Sequence, residues 1–527
     1  MEKKSSLNDR MRIAAAICFV VFIAVMSIQN FAKVDQPIVK FVEGKTDFSG
    51  MTEEIKNGYL SDSLWQKAAF IDLHGLFARA TGRRHLNYAL LLNNGMLNFG
   101  YTVPLEPQDW YANKISRLSS ALEARGISFL YAMASLKLDM NDQLIPAGFE
   151  NHYNENATMF ADALTQRGVR VLDLRPLLTG SVDLVNANYY RTDHHWTPDG
   201  ALRTFEPLML NLQSIDPSIT LNYTDAKLWE RHELKNWFLG SHGKRVGALF
   251  AGTDPLIWYT PRFDTNISCI IQHHSVIRKG DFSDSLLNLT YTERPDYYNH
   301  NPYCIYIGGE YPIVQIRNPD APNKKKVLII KDSFALVMQA LLATEFTQVD
   351  TVDPRHYDET SVAEYCANEK PDIVVLLAMP HMVKRAEYIN TGAEKLPDPE
   401  ADNSFRTVLD NYDVTLEMKD SNYNFVRLPV TLEAGRTYRF TFDDIERLEG
   451  DCDGAILVAF QWDGNSIIHQ HIYDIDYCHR FGGEAFTFTM PQEGDNWSLL
   501  LYAGINGETA GNSIRYKGVN VSVMDLP

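Results

Sequence analysis

Between residues 52 and 83 apolar positions recur at helical spacing, with Ala69, Leu73, Leu76, Phe77 and Ala80 on one stripe. YALLLNN (88–94) then reads as a short strand ending at Gly95. Beyond it two periods alternate. DWYANKISRLSSALEARG (109–126) predicts an amphipathic helix stopped by Gly126, and ISFLYAM (127–133) a buried strand. ATMFADALTQRG (157–168) is again a helix stopped by glycine, and VRVLDL (169–174) a strand. After a long interruption the alternation resumes. KKVLII (325–330), TQVDTVD (347–353) and DIVVLLAM (372–379) are strands separated by helical SFALVMQALLATEF (333–346) and ETSVAEYCANEK (359–370). Continuous apolar strands alternating with helices predict an α/β fold, a doubly wound parallel sheet covered on both faces.

The interruption, 221–322, is rich in Tyr, Asn, Asp, Pro and Gly. A structureless loop of that length is implausible inside a domain, so it reads as a β-containing insertion over one edge of the sheet. From about residue 420 the period changes to two. RTYRFTF alternates Tyr438, Phe440 and Phe442 with polar partners, EAFTFTM does so with Phe486, Phe488 and Met490, and Asp463-Gly464-Asn465 is a turn signal. This pattern predicts a C-terminal antiparallel β-sandwich. The expected division is 1–46 (tail, apolar segment and linker), 47–419 (α/β domain) and 420–527 (sandwich), with the boundary near 419–421.

The N-terminus adds a location. Lys3, Lys4, Arg10 and Arg12 precede an uncharged apolar run, 13–28, without a good cleavage pattern. The expectation is an uncleaved single-pass anchor in the cell membrane with a cytoplasmic tail, everything after about Lys33 being extracytoplasmic. The 527 residues carry a net charge of −18, which argues against nucleic acid as a partner. Of six cysteines, Cys452 and Cys478 could bridge within the sandwich; no CxxC pair points to structural zinc.

Candidate chemistry concentrates in two stretches. In VLIIKDSFA, Ser333 follows a strand and opens a helix, where ligands of open α/β sheets bind and helix N–H groups can face an oxyanion. It reads either as a nucleophile or as an N-cap. In YRTDHHWTPDG (190–200), Asp193, His194 and His195 precede a helix started at Thr197-Pro198. A serine nucleophile needs a base, and the base a carboxylate to fix its tautomer. The same trio, or His273-His274, could instead ligate a metal, although neither has convincing ligand spacing.

TDHHWT with KDSF downstream resembles the bacterial DHHW family, which is similar to the alginate O-acetyltransferases of the SGNH hydrolase-like superfamily. The likeness runs roughly over 68–379, and GSHGKRVG (240–247) also looks typical. It implies an SGNH hydrolase-like domain with Ser333 as nucleophile, His195 as general base, Asp193 as its orienting carboxylate, His194 holding the loop, and no metal or other cofactor. Arg355, after the strand ending at Val352, is implied as a substrate-binding or oxyanion group. The implied activity is transfer of acetyl groups to or from a cell-surface polysaccharide through an acetyl-serine, with a membrane partner delivering the donor. Lys331 stands where the SGNH pattern has glycine, and no Gly-x-Asn-Asp block is present. The alternative is therefore an inactive SGNH scaffold serving as a surface carbohydrate-binding protein. Some alginate acetyltransferases end in a carbohydrate-binding sandwich, so Trp462, Tyr473 and Trp497 read either as sugar platforms or as core.

Overall fold

A computed structural model describes residues 7–31, 35–60, 65–274, 276–396, 405–418, 423–460, 467–492, 497–504 and 510–524. The expected boundary at 419–421, the turn at 463–465 and Trp462 lie outside these.

Helix α1 (Leu7–Asn30) contains a 20-residue stretch, Met11–Asn30, of mean hydropathy 2.5, long and apolar enough to cross a membrane. Its Phe22 meets Phe70 of α2 (Lys67–Ala80) edge to face at 5.9 Å. The stripe read on α2 does not face the core: Leu73 and Phe77 are 60% and 69% exposed. The helix buries Gly75 and Ala78 instead. A Cβ on Gly75 would lie 2.0 Å from the Val246 carbonyl oxygen, so the close backbone approach made by the small residues decides which face turns inward.

The central sheet has eight strands: β1 (Ser128–Met133), β2 (Val171–Asp173), β3 (Ile267–Ile271), β4 (Val276–Gly280), β5 (Ile313–Arg317), β6 (Asn323–Lys331), β7 (Phe346–Val352) and β8 (Ile373–Ala378). Their order is β2-β1-β8-β6-β7-β5-β3-β4. The first five run parallel, as the alternation predicts. The insertion does not lie over the edge; its β5, β3 and β4 extend the sheet antiparallel. Side chains alternate between two cores, Val327 and Ile329 of β6 on one face, Leu328 and Ile330 on the other. Helix α3 (Asp109–Glu123) and α4 (Tyr153–Thr165) pack on the second face. The first carries α5 (Pro198–Ile215) and α7 (Ala335–Glu345); the short α6 (Ser241–Val246) falls between them in the chain. Every residue of α7 is buried, which accounts for its being apolar all round.

Two antiparallel sheets, of five and four strands, follow from Phe405 and enclose their own core. They begin ahead of the expected 420, because Phe405–Met418 pairs along Asn512–Met524. Half of that strand is solvated and polar, so its composition gives no sign of the change. Tyr473 and Trp497 are core residues, not exposed platforms. The Cys452–Cys478 bridge is not formed: both are buried cysteines outside any disulfide. The sandwich docks on the insertion edge of the large sheet: Arg317 of β5 donates to Glu484 at 2.7 Å, and Lys279 of β4 to Asp453 at 2.8 Å.

Candidate active site

Strand β6 ends at Lys331, and Asp332-Ser333-Phe334 form the turn into α7. Asp332 accepts from the Phe334 and Met379 N–H groups, each at 2.9 Å, tying this turn to the end of β8. Burial raises the Asp332 pKa to about 6 against those two bonds. Phe334, not Ser333, is the N-cap of α7. The Ser333 hydroxyl points at His195, Oγ lying 2.7 Å from Nε2. The Ser333 N–H engages no protein acceptor among the described residues.

His195 Nδ1 lies 2.5 Å from Asp193 Oδ1. Asp193 also accepts the His195 backbone N–H at 3.0 Å and, through Oδ2, the Ser241 N–H at 2.6 Å. Burial pushes its pKa up, but the neighbouring His195 and His194 and these bonds outweigh it and hold the carboxyl well below its usual range. An ionised Asp193 only accepts, so His195 Nδ1 carries a proton, and in the neutral ring Nε2 is left to accept the Ser333 hydroxyl.

The loop bearing Asp193 is pinned by the insertion. Asp254 receives Arg191 N–H at 2.6 Å and Thr192 N–H at 2.7 Å. Gly240 N–H reaches Thr192 Oγ1 at 2.8 Å. A Cβ at Gly240 would lie 2.3 Å from that of Asp193, so only glycine lets the GSHG turn approach. His194 accepts or donates at Ser241 Oγ (3.0 Å), lies tilted by 35° against His195 (centroids 3.8 Å apart) and touches Phe99 (5.3 Å). Burial, then the charge of His195, keeps its pKa well below the ordinary value. His242, from the same turn, is buried and neither of its nitrogens has a hydrogen-bond partner among the described residues; burial lowers its pKa to about 3.

Sequence reasoning missed Tyr303. Its ring stacks on His195, with centroids 3.8 Å apart and planes 11° from parallel. Its hydroxyl donates to the Ser333 carbonyl at 3.1 Å. It sits in the insertion, where no period marks it. Lys137 was also missed: fully buried, it donates to the Leu97 carbonyl at 2.7 Å, and burial lowers its pKa to about 8 although Asp254 and Asp193 oppose the shift.

Arg355 is placed differently from the other three candidates. Its guanidinium grips Asp353 through Nε (2.9 Å) and Nη2 (2.6 Å) and reaches Glu310 at 3.1 Å. Asp353 also pairs with Lys331 at 3.1 Å, both side chains being 0% exposed. This pair accommodates lysine at the position where glycine was expected, because the residue is still strand and its ammonium is answered.

Among the described residues, Asp193, His194 and His195 form the group able to gather metal ligands, their atoms within 4.8 Å of one another. Both nitrogens of His195 are already engaged, by Asp193 and Ser333, so ligation would break the serine contact.

The fold is of the SGNH hydrolase-like class, with a serine–histidine–aspartate array at the carboxyl end of its central strands. Two family models narrow this. Residues 106–232 match the SGNH hydrolase-like domain of the acetyltransferase AlgX, and residues 178–352 match the DHHW protein family. The DHHW and acetyltransferase resemblance read from the motifs is thus found by both models. Among solved structures, Bacillus cereus PatB1 is similar over 57% of this chain and 98% of its own, with 20% identity and a TM-score of 0.50. A DHHW family protein from Eubacterium siraeum is 16% identical over 59% of this chain and 96% of its own, TM-score 0.43. Pseudomonas aeruginosa AlgX is 15% identical over 84% and 95%, TM-score 0.36. No curated protein matches the chain.

Proposed function

We propose that the protein is a serine-dependent O-acetyltransferase or acetylesterase acting on a cell-surface polysaccharide. The observation that carries this reading is His195 bonded to Ser333 on one nitrogen and to Asp193 on the other. Ser333 Oγ attacks the acetyl carbonyl of a donor ester while His195 Nε2 takes the hydroxyl proton. The Ser333 N–H at the helix-opening turn receives the oxyanion. The tetrahedral intermediate collapses, the donor alcohol leaves with the proton from His195, and acetyl-serine remains. A sugar hydroxyl, or water, then attacks the ester, giving its proton to Nε2; Ser333 leaves and is reprotonated. Asp193 holds the ring and balances its transient charge. Arg355, held by two carboxylates, gives the rim a fixed guanidinium and positions Asp353 rather than serving as an oxyanion donor.

Location belongs to the same proposal. The apolar helix Met11–Asn30 anchors the chain in the cell membrane with the catalytic domain outside, where a membrane partner supplies the acetyl donor. The test is a burst of p-nitrophenol from p-nitrophenyl acetate by the full chain, with trapping of an acetyl group on Ser333. Loss of the burst in Ser333→Ala and His195→Ala is expected. A burst that survives Ser333→Ala sinks the proposal.

A further inference from the structure

A cleft of about 270 Å³ opens at the triad's end of the sheet, and no triad residue lines it. Tyr101, Tyr111, Tyr153 and His381 line it with aromatic rings, and Glu106 and Lys384 are the charged residues of its lining. It lies where β8 ends, one strand from Ser333. Met379, two residues before His381, is the residue whose N–H binds Asp332. Phe99 lies on the way from the cleft toward the triad, its ring 6.0 Å from that of His381 and 5.3 Å from that of His194.

Resting on the O-acetylation reading, we propose that this cleft seats the acetyl acceptor, and that the acceptor is an uncharged sugar ring rather than a uronate or other anionic sugar. The rings are of the right kind. Phenol and imidazole faces pack against the C–H faces of a pyranose, while their edges bond its hydroxyls. The volume falls below the roughly 300–1,000 Å³ of drug-sized sites, which suits about one sugar unit.

Charge decides between sugars. Lys384 lies 3.7 Å from the Glu106 carboxylate and over the Tyr111 ring at 5.4 Å, so its charge is already answered. His381 Nδ1 is buried and has no partner among the described residues, and burial, then Lys384 and Arg385, lowers its pKa to about 4; it presents a neutral ring. Beyond the lining, Arg385 pairs with Glu387, and Arg355 with Asp353 and Glu310. A uronate carboxylate entering here finds, among the described lining residues, no cation that is not already paired.

The experiment measures binding on the full-length Ser333→Ala protein in detergent by calorimetry. The probes are neutral oligomers (glucan, xylan and mannan) and oligogalacturonate. At least one neutral oligomer binds, Tyr101→Ala weakens it tenfold or more, and oligogalacturonate binds at least tenfold more weakly. Tyr101 is 40% exposed, so its loss leaves the core intact. Glu106→Gln, which frees Lys384, narrows the preference against the uronate. Uronate binding equal to or tighter than neutral binding overturns the proposal. So do failure of every neutral oligomer and indifference to both substitutions. The acetyl-serine burst of the wild type is read separately. Sugar binding without a burst sinks the catalytic reading and leaves the cleft assigned; a burst without sugar binding does the reverse.

Discussion

Tyr303 lies flat on His195, their ring centroids 3.8 Å apart, and its hydroxyl reaches past that ring to the Ser333 carbonyl. One side chain thus fixes both the plane of the base and the turn of the nucleophile. Tyr303→Phe keeps the stack and costs only a few-fold in kcat for p-nitrophenyl acetate. Tyr303→Ala loses both contacts and costs roughly 10–100-fold, the penalty of a displaced reacting group. Rescue by phenylalanine separates positioning from hydrogen bonding.

Asp193→Asn removes the acceptor that fixes the Nδ1 proton of His195. The amide stabilises the wrong tautomer, and Nε2 then no longer accepts from Ser333. Esterase kcat falls by roughly 10³–10⁴-fold while the fold is kept, as near-ultraviolet circular dichroism will show.

Chelation tests the competing use of the same trio. Because both His195 nitrogens are committed, EDTA treatment followed by desalting leaves the p-nitrophenyl acetate burst unchanged. Loss of the burst, restored by a divalent ion, refutes the serine mechanism.

Asp139 gives a pH signature of stability. Burial raises its pKa to about 7, against the bond from the Leu136 N–H. Near pH 3.9 and below, folded and unfolded chains both hold the proton. As the pH climbs from about 4 to about 7 the unfolded chain releases it first, so this group makes stability fall across that window. Asp139→Asn keeps an acceptor for Leu136 and removes the slope. Thermal melts show it more stable at pH 7, by roughly 2–4 °C per kcal/mol recovered, and unchanged near pH 4.

The buried Lys331–Asp353 pair is expected to be costly to break from one side. Asp353→Asn strands an ammonium in the core and releases Arg355, destabilising by about 3–5 kcal/mol in urea denaturation. Arg355→Ala leaves the buried pair intact and costs less, which separates the two roles.

The parallel half of the sheet was legible because buried strands are written as unbroken apolar runs, such as 327–330 and 373–378. The Asp-x-His spacing and the strand-to-helix serine pointed to side chains that the fold brings within hydrogen-bond reach. The β content of the insertion was legible but its place in the sheet was not. Its strands are short, and their partners are β7 and one another, so no local period records the pairing. Tyr303 and Asp254 act through contacts 30 to 63 residues away along the chain, which spacing does not reveal. The α2 stripe misled for a different reason: periodicity finds an apolar face but not what covers it.

Ser333 and His195 are separated by 138 residues, and the turn that grips Asp193 belongs to a segment between them. Closing such a loop is among the late and entropically expensive events of folding. A chain still emerging from the ribosome therefore carries these histidines before the hydroxyl they will face. The hydroxyl follows only when α7 has been made and buried. On the proposed mechanism, reactivity is a property of the finished sheet, and a truncated or half-folded copy is chemically silent.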